Sequence, residues 1–302
     1  VILTVTYNPA VDQTMTFEEP LASETVNRAT DARFDAGGKG INVSQFLAAM
    51  ETDTVATGLL GGFTGEFVTD QLDTAGILTD FVAVDEPTRL NTTALADGTE
   101  YKLNQDGPTV GQGVVDDLVD SIAAHDPDRV LVGGSLPPGL DVDAIDRIAT
   151  TGQWRTAVDV EGDLLRELDA DYALCKPNRE ELAAATGASV ETIEDCAAAA
   201  EQLRKQGFER VVASLGGDGA VLVGPDGAVY AEPLPVDVVD TVGAGDALLS
   251  GVLASLDRGE DDALALATGV AVASRVVEQA GTSVPDLSGV PEDRTAVETR
   301  RL

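Results

Sequence analysis

The chain has 302 residues, 43% of them apolar, which suffices for a buried core and excludes a disordered or fibrous chain. Against 53 Asp and Glu stand 19 Lys and Arg, a formal charge of −34, and only four of those cations are lysines. Such a surface repels nucleic acid and anionic membranes at long range, so neither is an expected partner. The acids are spread without a like-charge block, the pattern of a salt-adapted, halophilic surface rather than of an acidic binding tail. Two cysteines, Cys175 and Cys196, match no disulfide framework or zinc spacing, and with one histidine, His125, a nitrogen or sulfur metal site is not expected. No secretion signal is visible, and the most apolar stretch, Leu264–Val277, is too short to span a bilayer; a reducing, cytoplasmic setting is the expectation.

Short β-branched runs alternate with longer helical patterns, which predicts parallel strands joined by crossover helices and a sheet covered on both faces. Strands are predicted at Val1–Tyr7, Val55–Leu60, Val130–Gly133, Thr156–Val160, Val211–Leu215 and Ala220–Val223. Helical spacing predicts Ile41–Met50, Val114–Ala124, Arg179–Thr186, Ile193–Gln206, Ala247–Leu256 and Asp261–Glu278. Two stretches break the alternation, Thr14–Phe34 and Arg89–Asn104, the second turning at Asp97-Gly98, a hairpin signal. With no helix between their strands, they are expected either to pair as a small projecting sheet, the shape of a lid, or to form plain edge hairpins. The polar tail from Pro285 is expected to have little order.

The most informative segment is Asp240-Thr241-Val242-Gly243-Ala244-Gly245-Asp246-Ala247, which runs straight into an apolar helical pattern. Its glycines let backbone N–H groups turn inward, and the helix adds the positive end of its dipole, so the loop suits a phosphoryl anion. Asp246 beside that anion either caps the helix or accepts a proton from an attacking hydroxyl. A second loop, Ala36-Gly37-Gly38-Lys39-Gly40, opens the helix that contains Asn42; it lacks the spacing of a Walker A loop. In Lys176-Pro177-Asn178-Arg179-Glu180-Glu181, Asn178 and Glu181 are three apart on a helix start. Their oxygens would suit water around magnesium, or a plain cap. The turn Ser214-Leu215-Gly216-Gly217-Asp218-Gly219-Ala220 suits a triphosphate or a simple hairpin. No Gly-x-Gly-x-x-Gly follows the first strand, which argues against a nicotinamide enzyme. Two of the four lysines fall within these four segments, where a surface depleted of cations would keep them for binding anions.

In order, Asn8-Pro9-Ala10-Val11-Asp12, Gly37-Gly38-Lys39-Gly40-Ile41-Asn42-Val43, Gly134-Ser135-Leu136-Pro137-Pro138-Gly139, Lys176-Pro177-Asn178 and Gly243-Ala244-Gly245-Asp246 resemble the ribokinase-like (phosphofructokinase B) family of carbohydrate kinases. The likeness runs from Val1 to about residue 285, and is greatest for the branch that acts on already phosphorylated ketohexoses. It implies an α/β fold, a three-layer αβα sandwich with a mainly parallel central sheet and a small β-sheet lid. Residues 1–302 would then form one kinase domain, with lid strands from about 13–34 and 89–105 and a homodimer clasped through the lids.

By the same resemblance Asp246 is the catalytic base, and Gly243, Ala244 and Gly245 form the anion hole. Asp12, Gly37, Gly38 and Asn42 would hold sugar hydroxyls, while Lys39, Arg28 and Arg89, with Ser135 nearby, would meet the existing phosphate. Lys176, Asn178, Ser214, Gly216 and Gly219 match the nucleotide side, Glu181 would organise Mg²⁺ through water, and Gly269, Ala271 and Ser274 would border adenine. The activity implied is ATP-dependent phosphorylation of fructose 1-phosphate to fructose 1,6-bisphosphate. Tagatose 6-phosphate and fructose 6-phosphate are the alternatives within the family. A catalytically silent sugar-phosphate-binding regulator on the same scaffold would be expected to lack Asp246 or the glycine loop, and both are present.

Overall fold

The run Ile2–Thr6 is buried at every position, with Leu3 and Val5 facing one apolar cluster and Ile2 facing another. A strand apolar on both faces needs a layer of structure on each side. The computed structural model describes residues 1–279, 281 and 284–302. In chain order its strands are β1 (Ile2–Thr6), β2 (Ala10–Phe17), β3 (Asp31–Gly37), β4 (Thr54–Leu60), β5 (Leu78–Thr79), β6 (Val82–Ala83), β7 (Arg89–Ala96), β8 (Thr99–Leu103), β9 (Arg129–Gly133), β10 (Arg155–Asp159), β11 (Leu174–Cys175), β12 (Val211–Ser214), β13 (Ala220–Gly224), β14 (Gly227–Ala231) and β15 (Thr299–Arg301). The helices are α1 (Lys39–Ala49), α2 (Gly62–Thr74), α3 (Gly113–Ala124), α4 (Asp143–Thr151), α5 (Gly162–Glu167), α6 (Arg179–Thr186), α7 (Ile193–Arg204), α8 (Ala244–Asp257), α9 (Asp262–Val277) and α10 (Val290–Ala296).

The central sheet runs β15-β14-β13-β12-β11-β10-β9-β1-β4-β5, with β6 beside β4. Pairing is parallel from β5 to β12 and antiparallel from β12 to β15. One face is covered by α3 to α7, through Leu118, Ile145, Leu165, Leu182 and Leu203. The other is covered by α1, α8, α9 and α10, through Phe46, Leu249, Val272 and Val290. The chain is therefore an α/β three-layer sandwich with a mainly parallel sheet.

Strand β1 lies between β4 and β9, so the crossovers leave it in opposite directions. The crevice outside the carboxyl ends of the strands at such a reversal is where open α/β sheets bind ligands. Asn8, Ser135, Asp159, Lys176 and Ser214 all sit at or just beyond the carboxyl ends of β1, β9, β10, β11 and β12.

The two strand-rich interruptions pair as expected into one four-stranded sheet, β3-β2-β7-β8. The β7–β8 hairpin turns at Asp97 and Gly98 with φ of 46° and 74°, the left-handed pair that this turn requires. Register divides the sheet into unlike faces. Asp12 pairs with Asn91 and Asp35, while Met15, Ala94 and Tyr101 fall together on the opposite side.

The tail corrects the sequence reading. Beyond Pro285 the chain forms α10 and then β15, which pairs with the edge strand β14, and Leu287, Val290 and Val297 are buried. Its apolar residues are too sparse to mark a helix or strand by period, but each fills a space beside α9 and β14, and Arg275 fastens the tail to Asp293 at 2.5 Å.

Candidate active site

Helix α8 starts at Ala244 after Gly243, whose φ of 78° is left-handed. The first N–H groups of a helix lack partners one turn back, the arrangement an anion needs, and here the Ala244 N–H donates to the Thr241 carbonyl at 3.3 Å. The loop before it is tied by Asp240, whose carboxylate accepts from the Val242 N–H at 3.0 Å and from the Gly281 N–H at 2.9 Å. Asp246 lies in the first turn and is 8% exposed. The Asn42 amide, from α1, donates to its Oδ2 at 2.8 Å, leaving Oδ1 outside that bond. Burial pushes the Asp246 carboxyl up to about 6, reinforced by the negative charge of Asp159 and opposed by the Asn42 hydrogen bond and by Lys176 and Lys39. A carboxylate with that affinity for protons suits a general base near neutral pH.

Between the two halves of the crevice lies Asp159, fully buried at the end of β10. Its Oδ1 accepts from the Lys39 ammonium at 2.7 Å, and its Oδ2 lies 3.0 Å from the Lys176 ammonium, an ion pair without hydrogen-bond alignment. Burial alone would lower the Lys39 pKa, but Asp159 outweighs it, helped by Glu181 and Asp246, so Lys39 is held above its ordinary value and stays charged. Lys176 is 4% exposed, and its Nζ would lie 3.3 Å from a Cβ placed on Gly245, which sets it against the glycine loop. Sequence reasoning missed Asp159. The available signal was an acidic residue closing an otherwise apolar strand pattern at its carboxyl end.

On the opposite side, Asp12 and Asn91 face each other across β2 and β7, with the Asn91 amide donating to Asp12 at 3.1 Å. Desolvation raises the Asp12 pKa, while Asn91 and then Arg89 pull it back. A Cβ on Gly37 would come within 2.0 Å of the Asp12 carboxylate, so only glycine lets these strands approach there. Arg89 donates to the Asn8 carbonyl at 2.9 Å, and its buried Nε has no partner among the described residues. Asn8 in turn donates to Ser135 at 3.3 Å and to the Asp106 carbonyl at 2.9 Å. Asn8 opened the first motif of the sequence reading without a role, and Asn91 was not singled out. Gly38 and Lys39 turn the chain into α1, next to Asn42. Arg28 is exposed on the connection between β2 and β3.

At the start of α6, Asn178 and Glu181 are bonded to each other rather than standing as a free pair on one helical face. Asn178 is the N-cap of α6 and accepts from the Glu181 N–H at 2.8 Å, while Glu181 Oε2 accepts from the Asn178 N–H at 2.8 Å. This capping box leaves Glu181 Oε1, 4.0 Å from the Lys39 ammonium, facing the crevice. Ser214 bridges to Asn178 at the end of β12, and the Gly216–Asp218 turn with Gly219 closes the hairpin into β13. The expected adenine border is different in kind. Gly269 lets α9 pack against α8, since a Cβ there would reach the Leu248 carbonyl at 2.6 Å; Ala271 is fully buried, and Ser274 donates to the Val270 carbonyl within its own helix.

A buried carboxylate at a helix N-terminus, two lysines on one carboxylate and a small second sheet thus border one crevice. The family described as pfkB family carbohydrate kinase matches residues 5–288. The chain belongs to that family. The kinase is 57% identical to the 1-phosphofructokinase of Haloferax volcanii over 98% of its own length and 97% of the relative's. Among solved structures it resembles the phosphofructokinase-2 of Escherichia coli determined in complex with potassium, with a TM-score of 0.90, 26% identity and 98% of each chain covered. It shares its fold with the Arabidopsis thaliana ribokinase, with a TM-score of 0.78 at 23% identity over 97% of this chain and 98% of that one. Among the described residues no helix of the kinase is long and apolar enough to cross a membrane.

Proposed function

We propose that this kinase transfers the γ-phosphoryl group of ATP to fructose 1-phosphate, giving fructose 1,6-bisphosphate, in the cytoplasm, with residues 1–302 acting as one unit under the lid. The observation that carries the chemistry is the buried Asp246 at the start of α8, held by Asn42 and flanked by Lys39 and Lys176. The choice of sugar rests on the near full-length similarity to the Haloferax enzyme. Asp246 takes the proton of the C6 hydroxyl as that oxygen attacks the γ-phosphorus, and ADP leaves. The N–H groups of Gly243, Ala244 and Gly245 meet the equatorial oxygens, with Lys176 beside them. Asp12, Gly37, Gly38, Asn42 and Asn91 orient the sugar. Lys39, Arg89 and Ser135 receive its phosphate, and closing the lid carries the Arg89 guanidinium onto it while expelling water.

Magnesium fits this donor set as a nucleotide-borne ion. Among the described residues no cluster of three or more carboxylate, His or Cys side chains could cage a metal, whereas Glu181 Oε1 faces the crevice and can hold water around the ion. Bound there with ATP, magnesium would supply positive charge that neutralises the phosphates. Asn178, Ser214, Gly216 and Gly219 border the nucleotide, and Gly269, Ala271 and Ser274 support it from behind, through the packing of α9, rather than touching adenine.

The test is a coupled assay of purified protein comparing kcat/KM for fructose 1-phosphate, fructose 6-phosphate, tagatose 6-phosphate and fructose. Fructose 1-phosphate is expected to be the best substrate, and best activity on unphosphorylated fructose would refute the reading. Arg89→Ala should mainly raise the KM for the phosphosugar, because a half-buried guanidinium able to donate two parallel bonds is removed. An unchanged affinity would mean that the phosphate binds elsewhere.

The lid also supports a homodimer. Phe34, Met15, Phe17, Ala94, Ala96, Tyr101 and Leu103 share the face turned away from Asp12, and Phe34, Tyr101 and Leu103 remain exposed there. An apolar sheet face of this kind is covered by a second copy clasped face to face. Sedimentation in high salt should give a dimer, and Leu103→Glu with Tyr101→Glu should give a monomer. A wild-type monomer would remove the clasp.

A further inference from the structure

We propose that Asp159 is the positioning residue of this site: its single buried carboxylate holds Lys39 from the sugar side and Lys176 from the nucleotide side, so that both phosphate-binding cations are aimed by one group. The inference rests on the kinase reading above. Lysine is a point charge on a flexible stem, and left alone it samples many rotamers. Here the two stems come from different elements, the start of α1 and the end of β11, yet converge on Asp159 at 2.7 and 3.0 Å. A fully buried carboxylate is costly unless it is paired, and this one is paired on both oxygens.

The groups around Asp246 are Asp159 from β10, Lys39 and Asn42 from α1 and Lys176 beyond β11, and Glu181 from α6 lies 4.0 Å from the Lys39 ammonium. Within this set Asp159 does two things. It fixes the lysines before phosphate arrives, and it neutralises part of their charge, which would otherwise make Asp246 a weaker base. A carboxylate needed only for folding would do neither.

The test uses the full chain. Asp159→Asn should lower kcat roughly 10²-fold, as expected for misplaced groups in a phosphoryl-transfer site, and should raise KM for both ATP and the phosphosugar. Asp246 would lose a negative neighbour and face two unneutralised ammonium groups. The acidic limb of the pH–rate profile should therefore move to lower pH. Titration of the Asp246 carboxyl by carbon-13 NMR in the ligand-free protein should show the same movement, a readout that stands even if fructose 1-phosphate is not the substrate. Should Asp159→Asn fail to fold, Asp159→Glu keeps the charge but displaces both lysines by a methylene, and the same rise in both KM values is expected. Unchanged KM values together with an unmoved Asp246 titration in Asp159→Asn, or wild-type kinetics in Asp159→Glu, would overturn the proposal.

Discussion

Asp246→Asn is expected to lower kcat by about 10³–10⁴-fold, the upper range for loss of a general base, while binding of ATP and phosphosugar stays measurable. Asparagine keeps the size of the side chain and can still meet Asn42, so the helix start should survive and the loss should lie in kcat. The carboxyl of the wild-type residue is raised to about 6, first by burial and then by Asp159. The base is protonated below that value, so wild-type activity should fall as pH drops through about 6 and be level above it. A coupled assay at saturating substrates between pH 5 and 9 reads both effects. An Asn variant with wild-type turnover would remove Asp246 from the chemistry.

Salt should have an effect of comparable size on the whole molecule. At a net charge of −34 the folded chain repels itself, and the repulsion is local as well as global. Glu66, Asp70 and Asp73 line the exposed side of α2 at three- and four-residue spacing, where like charges destabilise a helix. In about 1 M salt the Debye length is roughly 3 Å, which removes these repulsions. Contacts such as Lys39 to Asp159, 2.7 Å apart and buried on the carboxylate side, are much less screened. Cooperative folding and full turnover are therefore expected in molar KCl and should be lost near 0.1 M, as read by circular dichroism and by the coupled assay. Full stability and activity at the lower salt would contradict the salt-adapted reading and leave the kinase assignment in place.

The sheet was legible because its inner strands are apolar on both faces. Val130–Gly133 and Ala220–Val223 fall within a residue of β9 and β13, and the helix Arg179–Thr186 coincides with α6, whose start is fixed by a local capping box. Elements that bury little were harder to read. Strand β15 and helix α10 exist because β14, far back in the chain, offers an open edge and α9 an apolar flank. The same holds for β5 and β6, which are two residues each.

The sequence by itself determined the glycine loops, the aspartate that follows one of them, the hairpin at Asp97-Gly98 and the scarcity of cations. These are local matters: a positive φ, a helix N-terminus and a charge count need no distant partner. Only the tertiary structure decided that Lys39 and Lys176 meet on Asp159, residues separated by 120 and 17 positions, and that Asn91 faces Asp12 across the small sheet. It also gave Gly269 to helix packing rather than to an open pocket. The physical reason is that ion pairs and close approaches are properties of distance in space. In a doubly wound sheet the carboxyl ends of strands far apart along the chain lie side by side, so the residues that share a charge are brought together by topology.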